Sequence, residues 1–266
     1  MERVVQSGAV GLAAQEAGEG IPVVLLHGLS ATRRYVVMGS RALERSGHRV
    51  IAYDARGHGR SSPAPAYDYD GLASDLSAVL DSFGVDRAVL AGASMGAHTI
   101  ARFARDAPER VAAAVLITPA FDPEAPDDPD SLARWDALAE GLRTGGVEGF
   151  VAAYGDPDVP DAWRDTVLKV LRQRLSAHEH PEAVADTLEQ VPRSRPFDGW
   201  DALRAFDVPA VVVGSRDEAD PGHPLATAER WADELPRARL LVEEPGHSPL
   251  AWQGGRLSRV IAEAAG

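Results

Sequence analysis

The 266-residue chain contains no cysteine. That absence removes disulfides, thiolate nucleophiles and cysteine metal ligands together, and leaves the redox compartment open, because a cysteine-free protein tolerates either state. Lysine is nearly missing as well. Lys169 is the only one, so the 27 basic residues are otherwise arginine, set against 40 acidic residues for a formal net charge of −13. Such a surface repels a phosphate backbone unless a local basic patch compensates. Arg33-Arg34 and the spaced Arg172, Arg174, Arg193 and Arg195 are too short or too interleaved with acids to make one, and read as solvated surface arginines. No nucleic-acid partner is therefore expected. No apolar run approaches the roughly eighteen residues that mark a membrane-spanning helix, so no membrane span is expected either. Met1-Glu2-Arg3-Val4-Val5 lacks the charged-then-apolar pattern of a secretory leader, which makes a cytoplasmic location the expectation.

What remains is an ordinary globular composition, with 45% apolar and 25% charged residues, in a chain long enough for one large domain or one domain with an insert. Short β-branched runs recur along it: Val23–Leu26, Arg49–Tyr53, Ala88–Ala91, Ala113–Ile117, Ala210–Val213 and Arg239–Val242. They are too short for helices and continuous enough for strands buried on both faces. Between them, Tyr35–Ser46, Tyr69–Phe83, Met95–Arg105, Leu225–Leu235 and Leu250–Ala265 carry apolar residues at helical spacing. Strand–helix alternation predicts an α/β fold with a mostly parallel sheet covered by helices on both faces. Val4–Gln6 and Ala9–Ala14 flank Ser7-Gly8 and read as a leading hairpin, which adds antiparallel strands at one edge.

From Phe121 to Gly199 the rhythm breaks. The stretch opens on a proline- and aspartate-rich loop and continues with helical segments near Ser131–Arg143, Gly146–Tyr154, Asp161–Leu175 and Pro181–Val191. This predicts a core domain of residues 1–121 and 200–266, interrupted by a helical cap insert over 122–199.

Gly92-Ala93-Ser94-Met95-Gly96 fits G-x-S-x-G. By itself the pattern arises by chance on the order of once in ten chains of this composition. Its context adds weight, for it follows one strand candidate and opens one helix candidate. A serine on a tight strand-to-helix turn needs neighbours without side chains, and the turn pushes its hydroxyl outward at the positive end of the helix. A serine hydroxyl is a poor nucleophile at neutral pH and needs a base. His247, in the loop after the last strand candidate, lies on the carboxyl edge of the sheet with Ser94 and is the expected base. Asp217, after the strand ending at Val213, is the expected acid that orients it, with Glu218 and Asp220 as rivals. Negative charge on the attacked carbonyl oxygen calls for preorganised amide donors. The amides of Met95 and Leu29 are the candidates, since Gly28 lets the chain turn and approach.

These pieces together resemble the α/β-hydrolase superfamily along nearly the whole chain. They are His27-Gly28, the Asp54–Ser61 loop, Gly92–Gly96, Gly214–Asp217 and Gly246-His247, in that order. The resemblance implies an eight-stranded, mostly parallel sheet with a helical cap insert after strand six, and an Asp54–Ser61 loop that braces the oxyanion loop. Within the superfamily the chain is most similar to small bacterial carboxylesterases, enol-lactonases and haloperoxidase-like members. Perhydrolase-like members often carry an aromatic residue and a proline in the oxyanion loop, where this chain has Leu29-Ser30-Ala31.

The expected activity is hydrolysis of a carboxylic ester through an acyl-enzyme, with a small-molecule ester as partner and no metal or other cofactor. A lactonase or a C–C bond hydrolase using the same triad is the alternative, and a low-turnover ligand receptor a more distant one. Leu29, Trp135, Phe150, Trp163 and His223 are candidates for the substrate pocket. His27 reads as a loop brace, His98 as packing near the serine, and His178-Glu179-His180 as a solvated turn. A homo-oligomer is left open.

Overall fold

A computed structural model describes residues 1–125, 128–216, 220, 222–247 and 252–266. The apolar runs pair into one eight-stranded sheet: β1 (Glu2–Ser7), β2 (Val10–Ala17), β3 (Ile21–Leu26), β4 (His48–Tyr53), β5 (Ala88–Ala93), β6 (Val111–Ile117), β7 (Ala210–Gly214) and β8 (Ala238–Val242). Their spatial order is β1-β2-β4-β3-β5-β6-β7-β8. The leading hairpin turns at Gly8, whose φ of 59° suits a residue without Cβ. At that edge β1 pairs with β2 and β2 with β4, both antiparallel, and the other pairings are parallel.

Successive side chains of a strand point to opposite faces, and the core divides accordingly. Val24 and Leu26 of β3, Leu90 of β5 and Leu116 of β6 pack on one face with α2 (Tyr69–Ser82), α3 (Met95–Asp106) and α8 (Leu225–Glu234). Val23, Leu25, Val89 and Val115 pack on the other with α1 (Ala42–Arg45) and α9 (Gly254–Ala265). At roughly 1.5–3 kcal/mol for each fully buried Val or Leu side chain, two filled faces are what hold the central strands in register.

One expected helix is mostly absent. Instead of a helix over 35–46 there is a short turn at Arg33–Tyr35 and the single-turn α1. Met38 (φ 49°) and Gly39 (φ 72°) stand in the left-handed region between them, which interrupts a right-handed helix despite the apolar spacing.

The helices between β6 and β7 are α4 (Pro129–Tyr154), α5 (Asp161–Leu175) and α6 (Pro181–Gln190), followed by the short α7 (Asp201–Arg204). The two helices read separately from the sequence meet at a kink within α4, where the Gly146 backbone is non-helical (φ 59°, ψ −145°). They enclose a cluster of their own, including Leu138, Leu142, Phe150, Leu171, Leu175, Val184 and Leu188, against which Leu29 also packs.

From β3 the chain crosses outward to β4, then returns to β5 on the other side of β3. The loops leaving the carboxyl ends of β3 and β5 therefore part in opposite directions and leave a crevice, the place where open α/β sheets hold their sites.

Candidate active site

Leu26 is in register with Gly92, so the two loops leave the sheet side by side. The elbow is built by exclusion. A Cβ on Gly92 would lie 2.4 Å from the Gly96 carbonyl, and one on Gly96 would lie 2.3 Å from the Leu26 carbonyl. Only glycine allows strand β5, helix α3 and strand β3 to approach this closely. Between them Ser94 takes φ 48° and ψ −112°, a sparsely populated conformation for an L-residue. Its amide donates to the Ile117 carbonyl at 2.8 Å and its carbonyl accepts from the His98 amide at 3.1 Å. The strain is thus held on both sides, which leaves the hydroxyl at the positive end of α3.

The imidazole hydrogen-bonded to Ser94 is that of His223. Its Nε2 accepts from the Ser94 hydroxyl at 2.9 Å, and its Nδ1 faces Asp220 Oδ1 at 2.8 Å. Asp220 and His223 are the first and fourth residues of a turn closed by the His223 amide on the Asp220 carbonyl at 3.0 Å. Gly222, before His223, is a residue type suited to such a turn. The expected base, His247, is exposed in the loop after β8, and its backbone amide donates to the Glu244 carbonyl at 3.2 Å. The sequence placed the base at His247; the imidazole beside the Ser94 hydroxyl in the structure is that of His223. Loops after β7 and β8 both end on the carboxyl edge, and spacing along the chain does not say which histidine folds inward. Asp217 lies outside the described residues, as does Glu218. Among the described residues, Asp220 faces the imidazole at the serine.

Buried Glu243, at the exit of β8, holds the exit of β7. Its Oε1 accepts from the Arg216 amide at 2.8 Å and the Ser215 hydroxyl at 3.2 Å, and its Oε2 from Trp252 Nε1 at 3.0 Å. No sequence motif marked this residue; its role comes from the strand order, which puts the two exits together.

The loop after β3 runs against the elbow, with an added Cβ on Gly28 lying 3.4 Å from Ser94 Cβ. It is fixed by neutral histidines. His27 Nε2 accepts the Ala55 amide at 2.9 Å, so its Nδ1–H donates to the Gly28 carbonyl at 2.8 Å. His58 Nε2 accepts the Ser30 amide at 3.2 Å, and His178 donates from Nε2 to the Ser30 carbonyl at 3.2 Å while Nδ1 accepts from Gly59 at 2.8 Å. Burial holds all three below the usual histidine range, His178 at about 4. Asp54 accepts from the Arg33 and Arg60 amides, at 2.8 and 3.1 Å, and ties the bracing loop to the sheet. His178, read from sequence as part of a solvated turn, is instead an inward joint between the α5–α6 segment and this loop.

His98 is likewise buried and neutral. Its Nε2 accepts the amides of Ala120 and Phe121, so Nδ1–H donates to Tyr69, and burial lowers its pKa to about 3. It fixes the exit of β6. Trp135 and Phe150 pack with Leu29 in the cluster of α4, α5 and α6, and Trp163 is half-buried on α5.

A hydroxyl bonded to an imidazole whose second nitrogen faces a carboxylate is the arrangement of an activated serine nucleophile. Comparison with known proteins agrees in class. The alpha/beta hydrolase fold family matches residues 21–253, and the chain belongs to that family. A putative non-heme chloroperoxidase from Synechocystis is 30% identical over 90% of this chain and 88% of its own length. A putative carbamate hydrolase from Variovorax paradoxus is 30% identical over 92% of this chain and 91% of its own. Among solved structures, a thermophilic esterase from Thermogutta terrifontis superposes with a TM-score of 0.79 at 28% identity, covering 99% of this chain and 97% of that one. The protein is a hydrolase of this fold, and among the described residues no helix is long and apolar enough to cross a membrane.

Proposed function

We propose that this hydrolase cleaves carboxylic esters through an acyl-enzyme, with Ser94 as nucleophile, His223 as general base and Asp220 as the carboxylate that orients it. The observation that carries this reading is the continuous chain from Asp220 Oδ1 through both His223 nitrogens to Ser94 Oγ, at 2.8 and 2.9 Å. His223 takes the Ser94 proton as Oγ attacks the acyl carbonyl, and returns it to the leaving alkoxide. Water then attacks the acyl-enzyme by the reverse proton path, releasing the acid and restoring Ser94. The amides of Leu29 and Met95 receive the oxyanion. Gly28 against Ser94 and Met95 at the start of α3 support both assignments. Residues 122–199 act as a cap whose Trp135, Phe150 and Trp163 border the acyl pocket. The Thermogutta relative is an esterase, which favours an ester over the lactone and C–C alternatives.

Intact-mass analysis after a fluorophosphonate probe tests the nucleophile: one adduct is expected on the parent protein and none on Ser94→Ala. Rates on p-nitrophenyl butyrate, an enol-lactone and a vinylogous diketone then test the substrate class. The ester is expected to be fastest, and an ester slower than both others overturns the assignment.

A second reading keeps His247 as base with Asp217 as acid. Its support is the order of the sequence motifs, and it requires the loop after β8 to fold inward and displace His223.

A further inference from the structure

Arg174 reaches out of α5 toward the loop that carries Leu29. Its Nη2 donates to the Leu29 carbonyl at 3.0 Å and to the Ser30 hydroxyl at 2.8 Å. Its Nε is sealed from solvent and has no hydrogen-bond partner. The guanidinium forms no ion pair among the described residues, although most arginines of this acidic chain do. Its surroundings are the neutral His27, His58 and His178, and the Asp220 carboxylate acts on it from beyond ion-pair distance. The reading of Arg174 as a solvated arginine therefore fails: it is a cation set into the site with donor capacity left over. A cation with a donor sealed from water and left unpaired is costly, and a complementary anion offsets that cost. Planar guanidinium suits a carboxylate, which it can grip with two parallel N–H donors.

We propose that Arg174 is a specificity determinant for an anionic substrate: an ester bearing a carboxylate a few bonds from the scissile carbonyl. The distance follows from the bond to the Leu29 carbonyl, since Leu29 is the residue whose amide is assigned to the oxyanion. Asp220 is committed to His223 and leaves the guanidinium free for the ligand. The substrate class rests on the hydrolase reading above, and the test separates the two.

Calorimetric titration of Ser94→Ala protein with monomethyl glutarate and with dimethyl glutarate reads the anion preference without turnover. The monoanion is expected to bind at least tenfold tighter, and the preference to collapse in Ser94→Ala/Arg174→Gln, where the amide can still donate to the Leu29 carbonyl. Equal or weaker binding of the monoanion, or a preference that survives Arg174→Gln, overturns the proposal. In the enzyme with Ser94 intact, mono-p-nitrophenyl glutarate is expected to surpass p-nitrophenyl butyrate in kcat/KM, with Arg174→Gln raising KM for the anionic ester selectively. A parallel loss on both esters assigns Arg174 to loop support alone and also overturns it. Anion-selective binding without turnover of either ester leaves Arg174 as an anion site and rejects the hydrolase reading instead.

Discussion

Single residues carry the chemistry here through what they exclude as much as through what they contact. Gly96→Ala forces a methyl to 2.3 Å from the Leu26 carbonyl. It is expected to lower stability by about 3 kcal/mol or more, at the upper end of overpacking costs, read as the shift in a urea midpoint. Asp220→Asn preserves the shape of the turn but presents an amide to His223, which favours the wrong tautomer. Its kcat is expected to fall by about 10⁴-fold with little change in melting temperature. A loss below tenfold would remove Asp220 from the relay. The strained turn at Ser94 was legible in the sequence because its neighbours are constrained too: two glycines, a strand before and a helix after. The imidazole placed beside it was not, because His223 and His247 sit in loops of the same edge and nothing in their spacing fixes which one turns inward. Arg174 and His178 were hidden for a related reason. Composition assigned them to solvent, and only the packing of α5 against the Leu29–Ser30 loop turns them in.

The elements explain how loops become rigid enough to position those atoms. Strand runs were readable because residues buried on both faces leave a continuous β-branched signature, and the helices between β6 and β7 because α5 and α6 keep their apolar spacing to their ends. The segment at 35–46 misled because apolar spacing does not report the left-handed residues at Met38 and Gly39. Glu243 links the exits of β7 and β8 by accepting from Arg216, Ser215 and Trp252. Glu243→Gln leaves one of these donors facing an amide N–H, and is expected to cost about 1.5–3 kcal/mol as a lost charged hydrogen bond. It should also lower kcat/KM, since the β7 exit leads into the loop that bears Asp220 and His223. In the core, Leu90→Ala in β5 empties a fully buried site on the α3 side and is expected to cost about 2–5 kcal/mol in chemical denaturation.

At the scale of the molecule, acid is the condition this protein should resist least. His98, at about 3, and His178, at about 4, are held below the ordinary histidine value of 6.5 by burial. His27 and His58 shift the same way. The unfolded chain binds these protons first, so stability is complete above the unfolded value and declines as pH falls below it. The decline continues down to each group's folded value. For His178 the full loss is on the order of 3 kcal/mol. Urea midpoints measured from pH 7.5 to 4.5 are expected to fall steadily below pH 6.5, and His178→Gln to flatten the curve; a pH-independent midpoint contradicts the neutral-histidine joint. The account as a whole stands on one contact, the imidazole of His223 on the hydroxyl of Ser94, because it selects which of two loops does the chemistry. Its most direct test is kcat/KM on p-nitrophenyl butyrate for His223→Gln and His247→Gln side by side. The first is expected to fall by about 10³–10⁴-fold, toward the level of Ser94→Ala, and the second to stay within about threefold of the parent. The opposite ranking would contradict the account and give the base to the loop after β8.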